Sequence, residues 1–586
     1  MKRDPYSTVA PYFGWVVIGA LAAGPAIDRA DYQDRLRAMW LGKAIANWTG
    51  LRTEIQFNNP PFPTDASWGG STARGKIEFV LDQDPWLADD DTDIEYVLLH
   101  LINQHGTPFL TAQQLRGGWI SHINREIWVS NQRARNLMNR GIAPPATGMG
   151  VANSDYLMID AQLVTEVLGA LAPGMPEQAL RISDLPIRTS SAGYATHAAQ
   201  FHVLLYSHAP MVDRGMSGRE KVLALVDHAR AFIPDSSKTA DIVDFVRADY
   251  LANPDREDWE RTRDRIYIRY HRDAAGNGFR YRGEFESSVN FATGIMALLY
   301  GEGDYPRTIR IGALSGWDSD NPTATMGGVV ALTLGYEGLR AQFGGRGFSD
   351  RFDIYRTRDS LPDYLPGDAA AQDTFTLMAA RMMPMVDQVI VAAGGRIDSG
   401  TLVLPPPRGG NPLFLNPTYR DYLRSANNRV VAAGGTVNAF SSSGLATASL
   451  VADGAELDFS GREDDDSRHR AFSTQAAPIK GDIEWIAVSY DRPIAVHTVR
   501  FIEGDHTSTG GWFDPVLAVR LLIDGEWRQT EGTLAISEQQ DAGQPFQTID
   551  FVLAAPVSAL GVWIEGRPGG SGRFVTCAEL DALAPP

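Results

Sequence analysis

The sequence predicts two consecutive domains, an all-α domain followed by a C-terminal β-sandwich. From Asp31 to about Ala393, apolar residues recur at helical spacing, and no alternation of strands with helices is visible. After about residue 436 they form short alternating runs between turns, a pattern typical of a sandwich. A stretch rich in Pro and Gly, which includes Pro405-Pro406-Pro407, separates the two patterns. The boundaries predict a helical domain, a linker and a sandwich over residues 28–400, 401–436 and 437–586.

Composition excludes some classes of partner. The chain has 586 residues, enough for more than one domain, and its hydrophobic content of 44% fits a globular protein with sizeable cores. The net charge is −18 and no run of Lys and Arg stands out, which argues against nucleic acid as the main partner. The single cysteine, Cys577, excludes an intramolecular disulfide.

The first 27 residues carry features of an export signal. Lys2-Arg3 precedes a segment, Pro5–Ile27, without charged residues, and the apolar run Phe13–Ala23 has the length of a signal-peptide core. Gly24-Pro25-Ala26 supplies small residues for a cleavage site. We expect a periplasmic or secreted protein, with a buried N-terminal segment of a cytoplasmic protein as the alternative. A permanent membrane span is not expected, because Pro and Gly interrupt the segment.

The predicted helices of the first domain are separated by Gly and Pro. They cover Tyr156–Leu171, Ala195–His208, Arg219–Phe232, Thr239–Leu251, Asp258–Tyr270, Phe291–Tyr300 and Ala369–Ala392. The sandwich is predicted to contain short strands bounded by turns. They cover Asp482–Tyr490, Val496–Phe501, Val516–Ile523, Thr548–Val552 and Leu560–Glu565.

An acidic turn that contains Asp318 and Asp320 precedes a further helix, which we expect to end near Leu334. Asn321 is a favoured N-cap residue and Pro322 a favoured first helical residue, so the helix is expected to begin at Pro322. The two carboxylates then lie in the turn, where their oxygens can converge on a hard cation such as Mg²⁺. A solvated, capped turn without a cation is the alternative.

Two glycines, Gly327 and Gly328, lie inside the same helix together with Ala324 and Ala331. A glycine in a helix interior costs about 1 kcal/mol relative to alanine. We therefore expect this helix to pack on a neighbour at a distance that larger side chains would not allow.

A second acidic turn, formed by Asp89, Asp90, Asp91 and Asp93, precedes an amphipathic helix that begins near Ile94. The helix macrodipole favours acidic residues at an N-terminus, so a charged helix start is one interpretation. Four carboxylates in five residues exceed what capping needs, and they repel one another unless a cation, water or a basic residue compensates them. Two such turns, each followed by a packed helix, are what a dinuclear site with oxygen ligands requires.

Three motifs, in this order, resemble those of the ADP-ribosylglycohydrolase family, which is named for the hydrolase that reactivates dinitrogenase reductase. Leu41–Glu54 resembles the family's Gly/Ala-rich opening helix, which ends in a Glu, here Glu54. Asp89–Thr92 stands where the family usually has Thr-Asp-Asp-Thr, and Trp317–Asn321 where it usually has Gly-Asp-Thr-Asp-Thr. The likeness covers roughly residues 30 to 395.

The motifs depart from the family pattern at several positions, and three of these concern the expected site. Asn47 replaces an Asp of the opening helix, Asp89 stands in place of a Thr ligand, and Asn321 in place of a second Thr. Asp89 and Asn321 keep an oxygen donor, so both remain compatible with metal binding. The departures leave open whether the substrate is ADP-ribosyl-arginine or another glycoside.

The resemblance implies a metal-dependent glycosyl hydrolase that binds two Mg²⁺ ions, with Mn²⁺ as an alternative. The implied ligands are Asp89, Asp90 and Asp91 for one ion and Asp318, Asp320 and Asn321 for the other, with Asp320 as the bridge. The implied catalytic residues are Glu54, Asp91, Asp318 and Asp320, with Glu54 gating or polarising the region. The ions would orient sugar hydroxyls and position a water for attack at the anomeric carbon.

Three functions remain open on the sequence alone. The first is cleavage of an N- or O-linked ADP-ribosyl group, and the second is hydrolysis of another glycoside, from a small molecule or a glycan. The third is a binding protein without activity, against which the retained Asp90, Asp91, Asp318 and Asp320 argue.

The C-terminal segment resembles galactose-binding-like, discoidin-type modules. The likeness rests on Val499-Arg500-Phe501, Asp524–Trp527 and the closing stretch Gly561–Leu580. Such modules often bind sugars, which makes Trp512 and Phe513 candidate stacking residues. The alternative is that both rings pack inside the sandwich or against the helical domain.

Overall fold

The computed structural model describes residues 24–354 apart from 151 and 236, and then 361, 372–407, 411–419, 436–439, 472–473, 481–504, 506, 509–536 and 547–584. In these residues the predicted order of domains, helical and then β-sandwich, is confirmed. The helices are α1 (Arg29–Gly50), α2 (Asp90–His105), α3 (Ala112–His122), α4 (Val129–Asn139), α5 (Thr165–Ala170), α6 (Pro176–Ile187), α7 (Gly193–His208), α8 (Gly218–Arg230), α9 (Lys238–Ala252), α10 (Glu260–Tyr267), α11 (Ser287–Gly301), α12 (Tyr305–Ala313), α13 (Asp320–Leu334), α14 (Tyr336–Ala341) and α15 (Phe375–Ala392).

Short strands lie at the edges of the helical domain. They are β1 (Ala26–Asp28), β2 (Ser71–Thr72), β3 (Gly75–Lys76), β4 (Trp86–Leu87), β5 (Arg351–Asp353), β6 (Asp373–Thr374), β7 (Arg396–Asp398) and β8 (Thr401–Val403). They form two three-stranded sheets, β1-β8-β7 and β4-β5-β6, and one hairpin of β2 and β3.

Helices α1 and α13 pack against each other in the interior of the helical domain. A Cβ atom on Gly42 of α1 would overlap the Cβ of Ala331 of α13, and one on Gly327 of α13 would overlap that of Ala46. The two backbones approach closely because hydrogen atoms stand where side chains would otherwise meet. The close packing predicted from the glycines of α13 is therefore confirmed.

The same contact brings the end of α1 to the start of α13. A Cβ on Gly50, the last residue of α1, would lie 2.5 Å from the Cα of Asp320, the first residue of α13. α2 also begins beside these helix ends, since Asn47 of α1 reaches Asp91 in its first turn. One helix end and two acidic helix starts thus meet in one place.

Several helix predictions need correction. The helix expected near Ile94 begins at Asp90, and β6 lies inside the predicted helix Ala369–Ala392. The predicted helix Tyr156–Leu171 is a 3₁₀-helix, Ile159–Val164, followed by the short α5, because the N–H of Ile159 is bonded to the carbonyl of Phe285 at 2.9 Å instead of within a helix. α13 begins at Asp320 and not at Pro322, which occupies its third position. A proline is tolerated there because the first N–H groups of a helix have no partner within it.

The predicted linker 401–436 begins on the helical domain. β8 pairs with β1 in an antiparallel register. Farther on, the Asn416 side chain donates to the carbonyl of Phe232 at 3.1 Å, and Gln200 donates to the Thr418 hydroxyl at 2.7 Å. The described residues of the predicted linker up to residue 419 therefore belong to the helical domain.

The predicted export signal, residues 1–27, lies mostly outside the described residues, which begin at residue 24. Of the proposed cleavage segment, Pro25 accepts a hydrogen bond from the N–H of Leu404 at 2.9 Å, and Ala26 pairs with Val403 in β1 and β8. Export therefore stays a prediction.

Within the described residues, α15 is long and apolar enough to cross a membrane by length and composition. Its Phe375, Met378 and Met382 are buried in the core, and the indole N–H of Trp40 of α1 contacts the Met382 sulfur at 3.3 Å. Asp387 on its exposed side pairs with Arg29 at 2.8 Å. These contacts are those of a core helix.

The sandwich is built on two long strands. Its strands are β9 (Thr436–Ala439), β10 (Phe472–Ser473), β11 (Glu484–Glu503), β12 (Phe513–Ile523), β13 (Glu526–Gln529), β14 (Gly532–Ile536), β15 (Thr548–Pro568) and β16 (Thr576–Leu583). The order is β10-β16-β11-β15-β12-β13, with β14 on β15 and β9 on β11. The short strands predicted within β11 and within β15 are joined, because bulges between Ser489 and Ile494 and between Val496 and Thr498 bend the pair without ending it.

The glycine contact between α1 and α13 can be tested by adding bulk on one side. Gly42→Val should lower the free energy of unfolding by about 1–3 kcal/mol, because the new side chain overlaps Ala331. Gly117→Val is the matched control, since a Cβ at Gly117 in α3 meets no atom within 4 Å. Chemical denaturation measures both variants, and equal stability of the two would contradict the close approach.

Candidate functional site

The two acidic turns open into one pocket, where α1 ends and α2 and α13 begin. Its cavity volume is about 350 Å³. Its charged lining consists of Glu54, Arg74, Asp89, Asp90, Asp91, Glu126, Asp160, Asp318 and Asp320, and its apolar lining of Leu51, Ile55, Trp128, Val129, Ile159, Leu163 and Phe285. Carboxylates from segments far apart in sequence therefore face one cavity.

Asp91 is held by two side-chain amides from neighbouring helices. Asn321 of α13 donates to its Oδ1 at 2.7 Å, and Asn47 of α1 donates to its Oδ2 at 3.3 Å. The start of α2 is capped by Thr92, whose hydroxyl accepts from the N–H of Asp89 at 2.9 Å. Asn47 also lies 3.3 Å from the Asp89 carboxylate. The amides fix both carboxylates at the inner wall of the pocket.

The turn that carries Asp318 has an unusual backbone. Trp317 is a non-glycine residue with φ of 55°, a conformation that bulky residues rarely adopt. Its carbonyl accepts from Ile55 at 2.7 Å, its N–H donates to Phe57 at 3.1 Å, and its buried indole N–H lies 3.2 Å from Nδ1 of His271. These contacts hold the turn on the segment that follows α1, and this places Asp318 and Asp320 near Glu54.

The carboxylates form two groups that share one member. Oxygens of Glu54, Asp318 and Asp320 lie within 4.8 Å of one another, and so do oxygens of Asp89, Asp91 and Asp320. Within the described part of the chain, Asp320 is the residue common to both groups. Its Oδ1 is buried without a hydrogen-bond partner, as are the Oδ1 atoms of Asn47 and Asn321. Unpaired oxygens among crowded carboxylates are the donor set that a hard cation takes.

Crowding and burial make the pocket electrostatically unfavourable for so many negative charges. Burial raises the pKa of Asp318 and Asp320 well above the usual range, and repulsion from Glu54 and Asp91 raises them further. Burial raises the pKa of Asp91 to about 6, although hydrogen bonds from Asp320 and Asn321 oppose the shift. Without a bound cation the group therefore shares protons, as closely spaced carboxylates do.

The structure brings the predicted acidic residues together in a grouping that differs from the predicted one. Asp90 lines the pocket half-buried, but belongs to neither group. The amide of Asn321 bonds Asp91, which leaves only its oxygen for a cation. Glu54 lies with Asp318 and Asp320 and pairs with Arg74 at 2.7 Å.

Asp160 and Trp128 are among the lining residues that were not anticipated from the sequence. Asp160 accepts hydrogen bonds from Ser130 Oγ at 2.7 Å and from the N–H of Asn131 at 3.1 Å, and burial raises its pKa to about 6. A lone acidic residue in an apolar run was the available signal. Trp128 is 57% exposed beside the cavity, where no pattern in the sequence marks it.

The aromatic candidates of the sandwich have different surroundings. Phe513 is buried in the sandwich core, with its ring centroid 5.3 Å from that of Phe501, so it cannot stack on a sugar. Trp512 is half-buried beside His506. Trp485, Trp527 and Trp563 are also partly exposed; the first and third stack at 4.0 Å, and Trp527 lies 5.3 Å from Trp563.

Comparison with known proteins identifies the helical domain. Solved structures that match the chain include an ADP-ribosylglycohydrolase-related protein complex, at 18% identity and a TM-score of 0.36, over 61% of this chain and 98% of that one. They also include the family 32 carbohydrate-binding module of NanJ from C. perfringens in complex with galactose, at 15% identity and a TM-score of 0.19, over 26% of this chain and 93% of that one.

A further match is the module CpGH89CBM32-5 from Clostridium perfringens in complex with GalNAc-β-1,3-galactose, at 18% identity and a TM-score of 0.19, over 28% of this chain and 99% of that one. No curated protein matches the chain. The profile of the ADP-ribosylglycohydrolase family matches residues 28–367, which is more than half of the chain. The protein therefore belongs to the ADP-ribosylglycohydrolase family.

Proposed function

We propose that the protein hydrolyses a glycosidic bond in the acidic pocket and that two divalent cations, Mg²⁺ or Mn²⁺, assist it. The observation that carries this proposal is the pair of carboxylate groups that share Asp320. All candidate ligand atoms of the two groups are carboxylate oxygens, and hard cations prefer oxygen ligands. The unpaired Oδ1 of Asp320 supports the fit.

The two carboxylate groups support a division of ligands between two cations that differs from the division predicted from the sequence. Asp89, Asp91 and Asp320 would hold one ion, and Glu54, Asp318 and Asp320 the other. Asp90 and the oxygen of Asn321 stand at the edge of these groups. Bound divalent cations orient sugar hydroxyls and lower the pKa of a bound water.

The protein's own groups hold and shield this chemistry. Asn47 and Asn321 keep Asp91 in place, so that it need not reorganise when substrate binds. Glu54, tied to Arg74, offers a carboxylate that can take a proton from an attacking water. Leu51, Ile55 and Phe285 supply apolar walls that limit access of bulk water.

The sugar that the pocket accepts is either an ADP-ribosyl group or another glycoside. Family membership supports the first. The second is favoured by the lining: its one basic side chain among the described residues is Arg74, which is paired with Glu54. A diphosphate would therefore depend on the cations for compensation of its charge. Purified protein with Mg²⁺, given ADP-ribosyl-arginine beside a panel of glycosides, distinguishes the two.

Removing one carboxylate from each group tests the metal-assisted reaction. Asp318→Asn and Asp91→Asn should each lower kcat/KM by at least about 100-fold, because each removes a charged cation ligand. Both should reduce the rise in Tm that Mg²⁺ causes in the unaltered protein. Asp244→Asn, at a carboxylate on α9 that does not line the pocket, is the control. Full activity after exhaustive EDTA treatment would refute the dependence on a cation.

Trp128 offers a flat surface at the pocket. Because Glu126 and Val129 beside it have φ of 46° and 35°, the local backbone is strained, as segments at functional sites often are. Trp128→Ala should raise KM about tenfold, since an aromatic contact of about 1.4 kcal/mol would be lost. Trp128→Phe should keep most of the affinity. The measurement is steady-state kinetics on whichever substrate the screen with ADP-ribosyl-arginine and glycosides identifies. An unchanged KM for the Ala variant excludes the contact.

The sandwich is proposed to bind a sugar-bearing ligand. Trp485, Trp527 and Trp563 lie near the Arg520–Glu565 ion pair, and the Trp563 indole N–H donates to Glu565 at 2.9 Å. Partly exposed rings beside hydrogen-bonding groups suit a sugar, which has an apolar face and a hydroxylated rim. This surface replaces Phe513 as the candidate, while Trp512 remains an alternative.

Two tryptophan variants separate these surfaces. Trp527→Ala should weaken retention on an immobilised glycan about threefold to tenfold, because one aromatic contact is removed. Trp512→Ala should leave retention unchanged. Glycan-affinity electrophoresis makes the comparison, with Tm measured on both. The reverse order of effects would assign binding to Trp512, and no retention of the unaltered protein on any glycan would remove the proposed role.

A further inference from the structure

A fully buried group of charged side chains lies beneath the acidic pocket. Lys43 of α1 lies 2.8 Å from Glu95 of α2 and 3.4 Å from Glu166 of α5, and all three are at most 1% exposed. Thr325 of α13 donates to Glu166 at 2.7 Å. We call Lys43, Glu95, Glu166 and Thr325 the inner layer.

The inner layer repeats the contacts of the pocket wall one helical turn deeper. Lys43 precedes Asn47 by four residues on α1, Glu95 follows Asp91 by four on α2, and Thr325 follows Asn321 by four on α13. Residues four apart lie on the same face of a helix. The same three helices are therefore joined twice, once at the wall by the two amides on Asp91 and once below it by the inner layer.

Every charged member of the inner layer has several partners. Glu95 accepts from the N–H of Val167 at 2.9 Å, and Glu166 accepts from the N–H and the hydroxyl of Thr165 at 3.0 Å each. Burial and the charge of Glu166 raise the pKa of Glu95. Burial also acts to raise the pKa of Glu166, but attraction to Lys43 together with hydrogen bonds to Glu95 and Thr325 offsets it and lowers that pKa. The Lys43 ammonium thus lies against both carboxylates. Such a buried network tolerates little displacement, because a lost partner leaves a charge uncompensated.

We infer that Lys43 is a positioning residue of the acidic pocket. Lys43 joins α2 and α5 to α1 beneath the pocket wall, and Thr325 joins α13 to the same group through Glu166. These contacts fix the register at which the first turns of α2 and α13 face each other. Oxygens of Asp91 and Asp320 then lie within 4.8 Å of each other, where they could share one cation. This inference rests on the proposed function for its effect on catalysis, but not for its effect on the helix starts.

The test compares two ion pairs that each contact α2, one beneath the pocket and one away from it. Lys43→Met removes the ammonium of the inner layer, while Arg381→Met breaks the pair with Asp373, whose carboxylate accepts from Tyr96 of α2 at 2.7 Å away from the pocket. Both variants should lower Tm. Only Lys43→Met should increase hydrogen exchange in residues 88–93 and 316–327, weaken the rise in Tm with Mg²⁺, and reduce kcat about 10-fold to 100-fold. Kinetics are measured well below both Tm values.

A milder pair of variants keeps the test decisive if Lys43→Met does not fold. Thr325→Val removes one hydrogen bond to Glu166 without stranding a charge, and should increase exchange in residues 316–327 and lower kcat several-fold. Thr333→Val on the same helix is its control, since that hydroxyl only donates within α13. If each test variant has only a lower Tm, as its control does, with hydrogen exchange at the helix starts and kcat unchanged, the inner layer is merely structural and the inference is overturned. An inactive wild-type protein would instead refute the proposed function, with the exchange comparison still deciding the role of Lys43.

Discussion

The close approach of α1 and α13 is the constraint on which the rest of the helical domain depends. It requires glycine at positions 42, 50 and 327, because a Cβ at any of them would enter the neighbouring helix or turn. Only at this separation can the short side chain of Asn47 contact a carboxylate on α2 that an amide from α13 also holds. The pocket therefore depends on the lack of a side chain at these three glycines as much as on the acidic side chains that line it.

The repulsion between the carboxylates of the pocket opposes this close approach. Burial raises the free energy of each ionised carboxylate, and each neighbour raises it further. The fold answers with amide donors on Asp91, an arginine on Glu54 and the buried ammonium of Lys43, yet Asp320 retains an oxygen without a partner. An acidic cluster that is left partly uncompensated by its own protein is predisposed to bind a cation.

The motifs and the spacing of apolar residues predicted the order of domains, the two acidic turns and the tight packing of α13. That Asp320 is shared was implied by the family resemblance, and not by motif or periodicity; in the structure, the contact of Gly50 with its backbone places it where it belongs to both carboxylate groups. Asn47 was noticed as a departure, but its hydrogen bond to Asp91 depends on helix register. Likewise, β11 and β15 continue through stretches that look like turns, since bulges are set by pairing with the partner strand and not by local propensity.

The pairing of β1 with β8 brings the segment that enters α1 beside the segment that follows α15. Residues 26–28 and 401–403 are adjacent antiparallel strands, although about 370 residues separate them along the chain. The strand pair thus holds the chain before α1 beside the chain after α15, so a module joined farther along the chain need not separate these two helices.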